Sequence, residues 1–367
     1  MDRRTAMLAC AHIGLLCAAR PVASQSQPRI VFLNPGEAAD RGTGPYWCMV
    51  AQFMIAAARR LGMQLEVLYA ERDHLLMLRQ VEEVARRAQA PDYVVIVNEK
   101  MAALQMLKTL ERSPAKVFLM HNDLTVEQRR EIGSERERIR NWIGTATSDN
   151  VRGGYRLMEY LYQQLGNREP CVIGITGDRN TPVSMQRAQG VDEYMTHARR
   201  GRTYQLVFGD WSYADGEQKA HVLLARYPDT NIIWAANDSM ALGALRAVKK
   251  RGAKVLVGGT GGWGKAMTSI AEGGLTATAA GQHMIGVWAL VMLYDYHHGR
   301  DFAAYGGLNQ KLDYLCVVNR ANVAGFDEVF FRHSDDLDFS IYSQVRHPSP
   351  KNYDFHLGRL VRDNKVF

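Results

Sequence analysis

The chain has 367 residues, with 45 Lys and Arg against 38 Asp and Glu for a formal charge of +7, and five cysteines. The positive excess is spread along the chain, so it reads as a solubility feature before a nucleic-acid footprint. Beyond the N-terminus no segment has 18 uncharged apolar residues, which excludes a membrane-spanning helix there.

The first residues read as an export signal. Arg3 and Arg4 give a basic start, and Ala6–Ala19 is an apolar run too short and too rich in small residues to span a bilayer, which takes about 20 residues. Val22-Ala23-Ser24 puts small residues before a cleavage point after Ser24. Leu16 before Cys17, and the closeness of Cys10 to the start, argue against a lipid anchor. Removing residues 1–24 takes away three arginines and one aspartate and leaves 343 residues at +5. The mature chain is expected to be soluble and periplasmic. Its three cysteines, Cys48, Cys171 and Cys316, have no close spacing and give no disulfide framework, though one pair could form in an oxidising compartment.

From Arg29 onward, apolar strand-like runs alternate with helix-length segments. Strands are predicted at 30–33, 64–69, 93–97, 116–120, 172–175, 205–208, 232–235, 255–257 and 276–280. Helices are predicted at 46–61, 74–88, 101–112, 151–165, 185–199, 216–226, 239–251 and 265–272. Strands apolar on both faces, alternating with helices, imply α/β architecture with doubly wound parallel sheets. Nine strands over this length favour two lobes, divided at the small polar stretch 144–150 (GTATSDN). The charged run 127–140 reads as a solvated surface segment, and the apolar run 284–296 as a buried crossover helix. Beyond Asp327 the chain is polar and irregular, an extended tail.

Polar and aromatic residues collect at the predicted strand ends, where an open α/β sheet forms its ligand crevice. Tyr46 and Trp47 follow a Gly/Pro-rich loop; one ring could stack on a sugar face, or the pair could staple the helix start. Asn98-Glu99 and His121-Asn122-Asp123 each suit a turn or cap, but as a set they fit polar groups converging on a polyol. Arg187 lies near a helix start, where the dipole gives a cation no support, so its fork of donors needs another partner. Trp211 and Tyr213 could form a second aromatic wall. Asn237-Asp238 opens a helix after a buried strand; Asp238 suits an N-cap and could also accept hydrogen bonds from a ligand. The GTGGWG at 259–264 matches a dinucleotide fingerprint only literally, lacks the acidic residue about 20 positions on, and reads as a cleft loop beside Trp263. His297 and His298 have no partner at metal-ligand spacing, and no nucleophile motif or Walker sequence appears. No cofactor, metal or catalysis is expected.

The alternation, ANDSMALGAL at 235–244, GTATSDNVRGG at 144–154 and QRAQGVDEY at 186–194 resemble type I periplasmic substrate-binding proteins, such as ribose- and galactose-binding proteins. The resemblance covers roughly residues 29–320 and extends in part to LuxP-type autoinducer-2 receptors, through Tyr46-Trp47, Asn122, Arg187 and Asp238. It implies two lobes joined by a multi-strand hinge, residues 28–147 with 283–311 and 148–282 with 312–330, followed by a tail at 331–367 packed on a lobe. It also implies ligand contacts at Tyr46, Trp47, Asn98, His121, Asn122, Arg187, Trp211, Asn237, Asp238, Thr260 and Gln282. The chain departs from its relatives in carrying His121-Asn122 where sugar binders often have Asp-Arg, and Thr260 where they carry Asp. It has Gly281-Gln282 where the autoinducer receptor has a second arginine, which argues against borate-bound autoinducer-2. The implied function is a monomer that captures a small neutral sugar or polyol and presents it to an ABC permease. The alternative is a co-receptor for a membrane histidine kinase. An enzyme on this fold and a carboxylate binder are the remaining rivals.

Overall fold

The computed structural model describes residues 27–39 and 45–361. The export signal, the glycines just before Tyr46 and the last six residues of the tail lie outside the described residues.

The strands are β1 (Arg29–Asn34), β2 (Gln64–Tyr69), β3 (Tyr93–Val97), β4 (Lys116–His121), β5 (Trp142–Ser148), β6 (Cys171–Ile175), β7 (Arg202–Val207), β8 (Ile232–Ala235), β9 (Leu256–Gly261), β10 (Ala277–Ala280), β11 (Asn309–Leu312) and β12 (Cys316–Asn319). The helices are α1 (Tyr46–Leu61), α2 (His74–Ala85), α3 (Ala103–Leu110), α4 (Val126–Ile132), α5 (Asn150–Gln163), α6 (Pro182–Ala198), α7 (Tyr213–Arg226), α8 (Asp238–Arg251), α9 (Gly264–Ala271), α10 (Ile285–His297) and α11 (Val323–Asp327). They build two six-stranded sheets, ordered β11-β5-β4-β3-β1-β2 and β12-β10-β9-β8-β6-β7. All pairings are parallel except β10 with β12. The two parallel-sheet lobes expected from the sequence are thus present. β1, β3 and β4 are buried along almost their whole length because helices cover both faces.

Three strands escaped the sequence reading. The supposed divide at 144–150 is mostly β5, buried at every residue. Its Gly, Thr and Ser gave no apolar run, and at Gly144 bulk is excluded: a Cβ there would lie 2.5 Å from the Phe302 ring. β11 and β12 are four residues each, too short to show a period. The charged run 127–140 is not merely solvated. It contains α4, held by a Thr125–Gln128 capping box, and a buried Glu135 that accepts from Arg129 at 2.9 Å. Cys48, Cys171 and Cys316 are free thiols.

The chain passes between the sheets three times, after β5, between β10 and α10, and between β11 and β12. One hydrogen-bonded cluster joins all three passages. The Ser148 and Tyr314 hydroxyls meet at 2.6 Å, Gln282 Nε2 donates to Ser148 Oγ at 3.0 Å, and the Tyr314 hydroxyl donates to the Gln282 carbonyl at 3.3 Å. α10 is apolar all round and buried along most of its length, yet no helix among the described residues is long and apolar enough to cross a membrane.

The tail is more ordered than its composition suggested. After α11 it forms short 3-10 turns at Phe339–Tyr342 and Leu357–Val361, and buries Phe330, Phe339, Phe355 and Leu357. Phe355 stacks on Trp288 of α10 with centroids 4.8 Å apart. Asp295 of α10, fully buried, accepts from Ser343 Oγ, Gln344 N, Val345 N and Tyr353 Oη at 2.5–3.2 Å.

Candidate functional site

At the carboxyl end of β1, Asn34 fixes the entry to α1. Its side chain accepts from Gly36 N at 2.8 Å and donates to the Trp47 carbonyl at 3.0 Å. Gly36 is required there, since a Cβ would fall 2.0 Å from the Trp47 Cβ. Tyr46 and Trp47 stand edge to face with centroids 5.0 Å apart, and both contact the His121 ring. His121 ends β4 in the left-handed region, at φ 73°. Its Nδ1 is reached by the Tyr46 hydroxyl at 3.0 Å and by Gln282 Nε2 at 3.3 Å. An amide nitrogen can only donate, so Nδ1 is the acceptor and the ring proton sits on Nε2. Burial, with the Arg187 and Arg72 guanidiniums nearby, depresses the His121 pKa to about 3, which keeps the ring neutral.

The facing wall comes from the second sheet. Asn237, not Asp238, caps α8: its Oδ1 accepts from Met240 N at 2.8 Å, while its Nδ2 donates to the Trp211 carbonyl at 2.8 Å. Asp238 is freed from capping and turns toward β9 and β10. Its Oδ1 accepts from the Thr278 hydroxyl and its Oδ2 from Gly262 N, each at 2.6 Å. This explains the glycine-rich run: a Cβ on Gly259 would meet Asp238 Oδ1 at 2.5 Å, and Gly262 supplies its N–H from φ 77°. The GTGG backbone therefore cradles a carboxylate of its own chain. Burial pushes the Asp238 pKa up to about 6, against those hydrogen bonds and the Arg187 charge.

Arg187 sits on α6 and is 5% exposed. It donates to the Ala236 carbonyl and, at 3.4 Å, to Asn150 Oδ1. Burial lowers its pKa to about 10, partly offset by Tyr46 and Asp238. Trp211, at φ 72°, lays its ring over Gly177, where a Cβ would come within 1.9 Å.

Tyr46, Trp47, His121, Arg187, Trp211, Asn237, Asp238 and Thr260 line one cavity between the lobes, with about 760 Å³ of atom-free space including its open mouth. The structure does not bring three other predicted residues to that lining. Asn98 donates to the Asp123 carbonyl and to Gln128 Oε1 and accepts from Ala103 N, so its amide holds a turn together. Gln282 Nε2 is taken up by Ser148 and His121 at the lobe passage, while its Oε1 is buried without a partner among the described residues. Asn122 is 2% exposed with both amide atoms unpartnered. Sequence reasoning missed Arg72, Thr181 and Val183, which do line the cavity, and gave Glu99 no contact of its own. Arg72 follows β2 by three residues, so the strand-end rule could have found it.

A periplasmic binding protein domain matches residues 38–301. The ribose import binding protein RbsB of Haemophilus influenzae is 32% identical over 39% of this chain and 48% of its own, so the chain spans about half the length of that curated relative. The D-allose-binding periplasmic protein of Escherichia coli is 24% identical over 65% of this chain and 76% of its own. Among solved structures, a periplasmic sugar-binding protein from Pseudomonas fluorescens is 32% identical with a TM-score of 0.81, covering 91% of this chain and 99% of the other.

Proposed function

The chain belongs to the periplasmic binding protein domain family, and we propose from that premise that it is a solute receptor for a small neutral sugar or polyol. The observation that carries this reading is the charge and surface of the cavity. Among the described residues its charged lining consists of two guanidiniums, Arg72 and Arg187, and two carboxylates, Glu99 and Asp238, with His121 neutral. A lining whose formal charges cancel suits a neutral ligand better than an anion. Trp47, Trp211 and Trp263 offer apolar faces to sugar C–H groups, while Arg187 and Asp238 supply a donor and an acceptor for hydroxyls. The three passages between the sheets form a hinge about which the lobes close on the ligand.

Residues 1–24 direct export and are removed, and the closed receptor, acting as a monomer, delivers its ligand to an ABC permease. Thermal-shift screening of residues 25–367 against neutral monosaccharides, polyols and small carboxylates tests the binding step. Sugars or polyols should raise the melting temperature; a response to carboxylates alone sinks the reading. Loss of uptake of the bound sugar on gene deletion tests delivery.

A further inference from the structure

The turns after β2 and β3 place an ion pair on the cavity wall across from Arg187 and Asp238. Arg72 Nη2 lies 3.1 Å from Glu99 Oε1, and both residues line the cavity. The Glu99 side chain is 9% exposed and that of Arg72 24%. A largely buried ion pair is weak evidence for stability, because desolvation offsets its attraction. The backbone here is also forced. Arg72 has φ 63°, and Lys100 and Met101, directly after Glu99, have φ 45° and 61°. Non-glycine residues in this region are strained, and such positions collect where side chains must be aimed.

Other contacts hold the strain in place. Arg72 N donates to the Pro35 carbonyl at 3.0 Å, which stitches the turn to the loop beside Trp47. Gln128 Nε2 donates to the Met101 carbonyl at 2.7 Å, and Asn98 Oδ1 accepts from Ala103 N at 3.0 Å. The Asn98 amide thus acts behind the wall, fixing the turn that presents Glu99.

The geometry points to Arg72 and Glu99 as a second hydroxyl-recognition subsite, on the opposite lobe from Arg187 and Asp238. A carboxylate has about four lone-pair positions and a guanidinium five N–H groups, so one shared contact leaves both able to bind a ligand. A carboxylate beside a guanidinium matches a vicinal diol: one hydroxyl donates to Glu99 and its neighbour accepts from Arg72. With the Arg187 guanidinium and the Asp238 carboxylate on the other lobe, the ligand class is a neutral polyhydroxylated ring or chain bearing hydroxyls at both ends. This rests on the sugar-receptor reading and adds the far end of the ligand.

The test is isothermal titration of residues 25–367 with pentoses, hexoses, inositols and the monodeoxy analogues of whichever sugar binds. Glu99→Gln should weaken the parent sugar by about 10- to 100-fold, the range for hydrogen bonds to charged groups. It should not further weaken the analogue that lacks the hydroxyl read by Glu99. The double variant R72Q/E99Q removes both charges together and keeps the protein assayable if E99Q alone fails to fold. It should lose the same discrimination between parent and deoxy sugars. If the wild type binds and the variants keep its full ratio of affinities across the analogues, the subsite is overturned and the receptor reading stands. If nothing in the panel binds the wild type, both fall.

Discussion

Asp238 beside the cavity and Asp295 on α10 are both carboxylates with no solvent exposure, and their partners differ in a way that separates binding from stability. Among the described residues the Asp295 side chain meets donors from the tail alone, and each of its oxygens receives a backbone N–H, Val345 N on Oδ1 and Gln344 N on Oδ2. Among the described residues Asp238 accepts from the Gly262 N–H and the Thr278 hydroxyl, with the Trp263 N–H as a further backbone donor, and it lines a space built to hold something else. The first site is saturated within the chain. The second is left with acceptor capacity, at the cost of a carboxyl whose pKa burial has raised to about 6.

The same substitution should therefore act oppositely at the two sites. Asp295→Asn must aim an amide N–H at a backbone N–H whichever way it flips. A buried donor left unpaired, plus the loss of charge-assisted bonds, should cost about 3–5 kcal/mol. That corresponds to a melting-temperature fall of roughly 10 °C in calorimetry, with the tail becoming open to limited proteolysis. An unchanged melting point would remove Asp295 as the anchor of the tail.

Asp238→Asn should leave the fold intact. The new amide can keep its oxygen on Gly262 N and donate to Thr278, whose hydroxyl rotates to accept. Sugar affinity should drop about 100-fold by titration, while the ligand-free melting temperature holds or rises. A melting-temperature loss as large as that of the Asp295 variant would make Asp238 structural and collapse the distinction.

A pH series sharpens it. The folded Asp238 carboxyl keeps its proton up to about pH 6, whereas the unfolded one releases it near 3.8. The folded state binds more protons between those values, so this group's contribution to stability falls as pH rises from about 4 to 6 and is level above. The melting temperature of Asp238→Asn minus that of the wild type should be near zero at pH 4 and grow to a plateau above pH 6, worth up to about 3 kcal/mol. A difference independent of pH would mean that Asp238 is not the titrating group. Taking the difference is necessary because His121 has the opposite slope. Its folded pKa of about 3 lies below the unfolded 6.5, so its share of stability rises with pH across that window.

These two aspartates also show what the sequence could and could not disclose. Asp238 was legible because it follows a short buried strand and opens a helix, a local pattern with a ligand-facing meaning in open α/β sheets. Even so, the pattern misassigned the cap: Asn237 takes that role through its bond to Met240 N. Asp295 sits inside an apolar helix, and its partners lie 48–58 residues downstream in a segment without periodicity. No local rule links them. Arg72 and Glu99 fall between these cases: each lies in the turn just after a strand, but only the folded turns show that they meet. The lobes themselves were readable because long helices and apolar strands repeat; β5 was hidden because close packing against Phe118 and Phe302 demands a glycine at 144, and the Thr and Ser that follow break the apolar run.

The two regions also meet where Leu357 packs on Gly281, and the smallest effect is expected there. Leu357 of the tail packs on Gly281, where a Cβ would meet its Cδ1 at 2.6 Å, and Gly281 lies directly before the passage that carries Gln282. Leu357→Ala should remove apolar contact and leave a cavity, for a loss of about 2 kcal/mol or a few degrees in melting temperature. Affinity should change less than threefold. The hydrogen bonds that join the three passages run through Ser148, Gln282 and Tyr314 and do not involve the tail. Truncating Leu357 leaves each of those donors and acceptors paired. If affinity instead shifts tenfold or more, Leu357 favours one lobe arrangement over the other. The tail would then be part of the hinge, and stability and binding would no longer divide between Asp295 and Asp238.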